Sequence, residues 1–532
     1  MLKRLPSVLL AILLTLALLA GCGGGANTAG ATTAAATTAA TTAAATTEAA
    51  ATRERVNLIY YTMGDPQPDY KTVEDAINAI LLEKFNATLE FRYSTWTDFQ
   101  QKYSTQLTAG ESDMMYTAGW LQYGLMANAG AYLELDSLLD EYAPTLRSII
   151  GEDALNTMRV GGKIYAVPNL WPEYVPNGVA YREDLRAKFD LPIPNSLENM
   201  ETFLSGIKEN MPEQSLLRLT TEESTGMDRA FDASHMLELK YPWVNSTLYG
   251  IGSYVNSPTQ MIDYWYSQDF IDDMKLLKRW ADLGFWSRSA LSDTNDPDWY
   301  KNGMMVAFVT GQNPNKTIQH IDDFAKMHPD WINGYFSYGE ITGAIWPAHQ
   351  TQNATAFSRG TKHAGVGLQI LEYIMTDNEM NKLVQCGIEG THYKLEDGLY
   401  YSLPEGVSPP PFNYEGFNTW NMRVEKYMLV RPGDLYRNEI FERLDKVAAK
   451  TKYPRINIGG GFSENYEEYQ AERTAVSNIL RQYLAPIQAG FVDDVEASIA
   501  DFLQKAEAAG LQACRDNYLK QWLAYCEEFG YE

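Results

Sequence analysis

The chain has 532 residues, a formal charge of −25, and 12 Trp and 34 Tyr. So acidic a polypeptide is repelled by nucleic-acid phosphates and by anionic membrane surfaces, which argues against either as a charge-bound partner. The length suffices for two or more packed lobes, and the aromatic content supplies a core with rings to spare for a binding cleft.

Lys3 and Arg4 open the chain, Val8 to Ala20 form an almost unbroken apolar run, and Leu19-Ala20-Gly21-Cys22 closes it. A charged start, an apolar run and small residues before a cleavage point make a secretory signal, residues 1–21. The run is too short to remain as a comfortable membrane-spanning helix. The Leu-Ala-Gly-Cys segment resembles a bacterial lipobox, which implies cleavage before Cys22 and acylation of its thiol and amine. Gly23 to about Ala51 is almost all Ala, Thr and Gly. Ala favours helix, but the Thr-Thr pairs and early glycines oppose it, and there is no apolar face to bury. Residues 22–52 are therefore expected to form a tether; about thirty such residues span roughly 30 Å.

Val56 to Tyr61 reads as a buried strand. Thr72 is expected to start a helix, with Asp75 completing a capping box and Val73, Ile77, Ile80, Leu81 and Phe85 as its apolar stripe. Thr88 to Tyr93 reads as a second strand. Thr97 is expected to cap the next helix, which carries Phe99, Tyr103 and Leu107 on one face and ends at Gly110. Asp113 to Thr117 is the third strand. This spacing predicts a parallel sheet with right-handed crossovers. Ligands bind such sheets beyond the carboxyl ends of the strands, here at Thr62–Asp65, Ser94–Trp96 and Thr117–Trp120.

Lys163 to Val167 reads as a strand, and Pro168, Pro172 and Pro176 rule out a helix in the stretch that follows. Phe270 to Leu283 is amphipathic, Gly303 to Val309 reads as a strand, and Gly365 to Met375 as a helix. Two helices close the chain, the first stopped by Gly510 and the second striped with Leu511, Cys514, Tyr518, Trp522, Tyr525 and Phe529. Cys514 and Cys526, on that one helix, lie about 18 Å apart along its axis. A disulfide needs Cα atoms within about 7 Å. With Cys386 they are expected to be small, buried, unpaired residues.

Gly162-Lys163-Ile164-Tyr165-Ala166-Val167-Pro168, Tyr181-Arg182-Glu183-Asp184-Leu185, Asn302-Gly303-Met304-Met305-Val306-Ala307 and Gly387-Ile388-Glu389-Gly390-Thr391-His392-Tyr393 occur in that order. Together they resemble the family 1 extracellular solute-binding proteins of ABC importers. The resemblance is strongest to the large Gram-positive lipoprotein branch with a DUF3502-like C-terminal region. The third segment lacks the lysine of the family's strand. The resemblance implies an α/β, two-lobed, periplasmic-binding-protein-like fold (type II, Venus flytrap) with hinge strands between the lobes. By that likeness the N-lobe takes residues 53–170 plus 348–395, and the C-lobe 176–345 plus 396–532. Crossings near Trp171–Asn177 and Pro347–Ala354 would be hinges.

The function so implied is capture of an oligosaccharide for an ABC importer. The protein would be a monomer anchored by lipid on the extracellular face of the cell membrane, with permease subunits as partners and no cofactor. A sensor module for a membrane kinase, or a binder of peptide or another solute, would share the fold. The sequence contains no His-Glu-x-x-His, no Gly-x-Ser-x-Gly and no phosphate-binding Gly-Lys-Ser/Thr loop. Asp293, Asn295, Asp296 and Asp298 cluster, but Pro297 stands where a calcium loop needs a ligand, so no metal is assigned. Paired carboxylates are too common in an acidic chain to single out a glycoside hydrolase, the least favoured reading.

Sugars expose C–H faces that stack on Trp and Tyr, and hydroxyls that pair with polar side chains. Trp96 and Trp120 follow strands, Tyr61 and Asp65 lie at and beyond the end of the first strand, Trp171 and Tyr174 fall at the first crossing, and Trp346 at the second. Gln312 and Asn313 follow the strand that reaches Ala307, and Trp420 lies in a Gly/Asn-rich loop. These ten residues are the expected ligand-binding set. Trp265, Trp280 and Trp522 lie on helical stripes and are expected in the core, and Glu389 and His392 are expected to make structural hydrogen bonds.

Overall fold

The computed structural model describes residues 54–532 apart from 172–173, 175–176, 220–247, 255, 294–297, 344, 346–347, 399, 408, 432, 452–457 and 460. The side chains of residues 96, 97, 100, 101, 104, 108 and 109 also lie outside the described set. The signal peptide, Cys22, the tether and Trp346 therefore fall outside the described residues.

Strands β1 (Val56–Met63), β2 (Ala87–Ser94) and β3 (Met114–Thr117) are joined by α1 (Tyr70–Phe85) and α2 (Trp96–Ala109). β1 pairs in parallel with both neighbours, Met63 opposite Ser94 and Tyr61 opposite Met115, so the three carboxyl ends reach one rim. Both helices start earlier than expected. α1 follows Asp69 rather than Thr72, and Thr95 rather than Thr97 caps α2, its hydroxyl accepting the Asp98 N–H at 3.2 Å. Thr95 directly follows β2 in extended geometry, which a cap requires, whereas Thr97 is already helical. Gly110, at φ +64°, ends α2 as its composition predicts.

β4 (Ala166–Pro168) ends at the same rim, and the chain then enters a second sheet. That sheet is built from β5 (Gly178–Arg182), β6 (Ala307–Gln312) and β7 (Asn333–Ser337), in the antiparallel order β6-β5-β7. α3 (Gln268–Asp282) precedes β6, and α4 (Pro314–Met327) follows it. The strand expected at Gly303–Val309 begins later because Gly303, at φ +72°, turns the chain first. The chain returns as β8 (Ala354–Phe357), followed by α5 (Ala364–Thr376) and α6 (Asn378–Cys386). β8 inserts between β3 and β4, antiparallel to both, giving the order β2-β1-β3-β8-β4. The first sheet is thus mixed rather than wholly parallel. The chain leaves and re-enters at one rim, so the returning strand must run away from it.

Each sheet has its own core. Leu58, Ile77 and Leu371 are buried around the first. Met274, Trp280, Phe502 and Trp522 are buried around the second, together with the closing helices α7 (Val495–Ala508) and α8 (Leu511–Phe529). Trp265 shares this second core, and Cys386, Cys514 and Cys526 are all buried and unpaired.

Phe412, Phe417, Met422 and Val424 pack into the first core, although the sequence reading counts everything after 395 with the second lobe. Phe417 stacks on Phe91 at 4.0 Å. The buried Asn421 side chain accepts from the Tyr60 hydroxyl at 2.8 Å and donates to Thr355. Apolar rings and a satisfied amide thus hold this segment on the first sheet. The chain crosses a third time before the helix Asp434–Ala448, whose Ile440 and Leu444 share a small core with Tyr174, Tyr335 and Ile345.

Candidate functional site

The sheet register sets the site. Thr117 and Pro168 both face Ala354 across β8, which places the ends of β3 and β4 about 10 Å apart, two strand spacings. Trp120, in the turn Gly119–Leu121, and Trp171 therefore leave one rim close together. Trp120 is half-buried, its ring 5.9 Å from Tyr116, and Tyr116 meets Trp420 edge-on at 6.1 Å. Trp420 is fixed from the first crossing, where the Asn169 amide donates to its carbonyl at 3.1 Å. Backbone bonds from Leu170 N–H to the Arg423 carbonyl (2.9 Å) and from Glu425 N–H to the Leu170 carbonyl (2.9 Å) lay the approach to the third crossing beside the first.

Guanidinium groups continue this row of rings. Arg423 lies 6.0 Å from the ring centres of both Trp420 and Trp171, and Arg437 sits 4.7 Å over Trp171. Arg423 is bidentate to Glu415. Burial pushes the Glu415 carboxyl up, but Arg423 and then Arg431 outweigh it and hold it below the usual carboxylate range. Arg431 grips Asp434 through its backbone N–H (2.8 Å), Nε (3.2 Å) and Nη2 (3.1 Å). Indole faces beside guanidinium donors suit a ligand with apolar faces and oxygen acceptors.

The other expected residues are placed differently. The backbone of Trp96 opens α2 on the rim, and its side chain is outside the described set. Asp65 is exposed two residues beyond β1. Tyr61 is buried and stacks on Phe99 at 5.0 Å, with no hydrogen-bond partner for its hydroxyl among the described residues. The Tyr174 hydroxyl donates to Asp445 at 2.6 Å, and its ring is buried in the small core under the Asp434–Ala448 helix. Gln312 is buried, its amide donating to the Thr310 carbonyl (2.8 Å) and its oxygen meeting His320 Nε2 (2.6 Å). The Asn313 side chain caps α4 by accepting the N–H groups of Asn315 (3.0 Å) and Lys316 (3.1 Å). Local demands thus engage Tyr174, Gln312 and Asn313.

Tyr116, Glu415, Arg423 and Arg437 went unmarked in the sequence. The available signal was the clustering of Arg423, Arg431 and Arg437 beside Trp420 in so acidic a chain. His392 is fully buried, Nδ1 accepting the Ile388 N–H at 2.9 Å and Nε2 lying 3.3 Å from Asp69, while Glu389 is exposed. His392 thus staples the loop after α6 to the start of α1, a structural role as expected for that residue.

Residues 64–199 match the family described as bacterial extracellular solute-binding protein, and residues 458–527 match DUF3502, a domain of unknown function. The match over residues 64–199 is to the solute-binding domain of that family. A carbohydrate ABC transporter substrate-binding protein of Streptococcus pneumoniae serotype 4 is 22% identical over 456 residues, 85% of this chain and 87% of that protein. Lipoprotein LipO of Bacillus subtilis is 20% identical over 366 residues, 62% of this chain and 67% of that one. Among solved structures, the N-glycan transport solute-binding protein NgtS of S. pneumoniae superposes with a TM-score of 0.66 at 19% identity, covering 89% of this chain and 99% of that chain. Its complex with Man1GlcNAc gives 0.63 and covers 89% and 100%. These neighbours are two-lobed solute-binding proteins, and the α/β fold here is theirs, one sheet and one core to each lobe.

Proposed function

We propose that this protein captures an oligosaccharide between its lobes and presents it to the permease subunits of an ABC importer. The observation that carries the reading is the row Trp120, Tyr116, Trp420 and Trp171 at the rim from which the chain passes between lobes. Indoles offer flat apolar faces to sugar C–H groups, and Arg423 and Arg437 supply donors for ring oxygens and hydroxyls. The named relatives support it: one is a carbohydrate substrate-binding protein, and NgtS was solved with Man1GlcNAc.

Trp120, Trp171 and Trp420 are the proposed stacking residues. Trp96 and Asp65 join them on the rim and Trp346 at the second crossing, while Tyr61, Tyr174, Gln312 and Asn313 support the walls. A ligand that touches both lobes only in the closed form shifts the population toward closure, which the permease recognises. The protein binds rather than cleaves, needs no cofactor, acts as a monomer, and is held at the extracellular face of the membrane by acylated Cys22.

The test is calorimetry with glycans found in a thermal-shift screen, on wild type and on Trp120→Ala. Loss of one stacking indole should weaken binding about tenfold to a hundredfold, on the order of 1–3 kcal/mol. The variant must keep its far-UV spectrum and melting temperature. Equal affinity removes Trp120 from the site, no response to any glycan refutes the ligand class, and sugar cleavage during titration refutes the binding-only role.

A further inference from the structure

The third crossing brings together three arginines and two carboxylates. Glu415 is taken by Arg423, and Asp434 by Arg431. Arg437 is poorly matched: its Nη1 lies 3.5 Å from Asp434 Oδ1, an oxygen that already serves Arg431. Its Nε is buried with no hydrogen-bond partner among the described residues. The same holds for the buried Nε1 of Trp171, on whose ring the Arg437 guanidinium rests at 4.7 Å. Neighbouring Tyr414 supplies no anion, because burial raises its hydroxyl well above the ordinary phenol range.

Two adjacent unsatisfied donors are costly inside a protein, even with Asp322 near Arg431 as a further carboxylate. Burial also lowers the Arg437 pKa, the direction expected for a cation short of counter-charge. The Arg437 side chain retains 12% of its surface exposed, so its outer edge is open to a partner. A guanidinium fork matches the two oxygens of a carboxylate, and a desolvated cation gains far more from an anion than from a hydroxyl.

We propose that Arg437, with the Trp171 indole N–H beside it, reads a carboxylate on the captured glycan. The ligand class is then an acidic oligosaccharide carrying a uronic or sialic acid. This rests on the oligosaccharide reading above and narrows it.

The test is calorimetry on the mature protein with tetragalacturonate and 6′-sialyllactose, each against its methyl ester. At least one acid should bind wild type at least tenfold tighter than its ester. Arg437→Gln should bring that ratio close to one, and Arg437→Lys should restore part of it. The acid-to-ester comparison on wild type needs no variant to fold. Neutral esters binding as tightly as the acids, or an unchanged ratio in Arg437→Gln, overturns the inference while leaving the oligosaccharide reading intact. If no glycan of either kind binds, acidic or neutral, both fall together.

Discussion

Replacing Glu415 by Gln keeps its shape and removes the charge that holds Arg423 between Trp420 and Trp171. Arg423 and Glu415 have only 12% and 14% of their side chains exposed, and Nη2 meets Oε2 at 2.7 Å beside a second bond through Nε. A charged hydrogen bond contributes about 1.5–3 kcal/mol, and breaking a fully buried pair costs about 3–5 kcal/mol. Partial exposure screens the pair, so Glu415→Gln should cost about 2–4 kcal/mol. Urea denaturation at pH 7, followed by far-UV circular dichroism, reads this as a lower midpoint. Glu425→Gln, on an exposed neighbour, should stay within about 0.5 kcal/mol of wild type. The pH dependence adds a second constraint. The folded Glu415 carboxyl lies below its ordinary value, so its contribution is present above the unfolded pKa of about 4.3. It is lost as pH falls through the lower folded value, and the gap between wild type and Glu415→Gln should narrow below about pH 4. Equal midpoints at pH 7, or a gap unchanged down to pH 3, would refute the reasoning.

His320 is held neutral by burial and by Lys316, its pKa lowered to about 3. The unfolded chain gains a proton below about pH 6.5 that the folded one refuses, so stability falls with pH there, and His320→Gln should reduce the loss at pH 5 by on the order of 2 kcal/mol. Unfolding midpoints at pH 7 and pH 5 check the difference in slope. Denatured, unreduced protein lacking Cys22 should titrate three thiols from Cys386, Cys514 and Cys526; finding one would mean Cys514 and Cys526 are not separated by α8. Cys22→Ala should appear in the medium or remain unprocessed, and processed variant retained in the membrane fraction would contradict the lipid anchor.

The opening strand–helix–strand–helix–strand unit was legible because each element buries a periodic face of its own. Its helix starts were misplaced by three and two residues because Thr72 and Thr97 resemble caps as well as Asp69 and Thr95 do. The direction of β8 could not be read, since it depends on where a long excursion re-enters the sheet. In the site, counting from strand ends put Trp120 on the rim and the family likeness put Trp171 at the first crossing, and the register brings the two together. Gln312 was selected because it follows a strand and Tyr174 because it falls at the first crossing, yet His320 and Asp445 engage them first.

The sequence by itself determined the order of the elements at both ends and the burial of Trp265, Trp280 and Trp522. Each follows from local pattern, where a residue's neighbours along the chain decide whether it meets water. Only the tertiary structure decided that Trp420 belongs beside Trp171, through a bond between residues 251 apart, and that Arg437 rests on Trp171 while sharing Asp434 with Arg431. Charge matching depends on distance in space, and a fold that crosses between lobes three times makes that distance unrelated to separation along the chain.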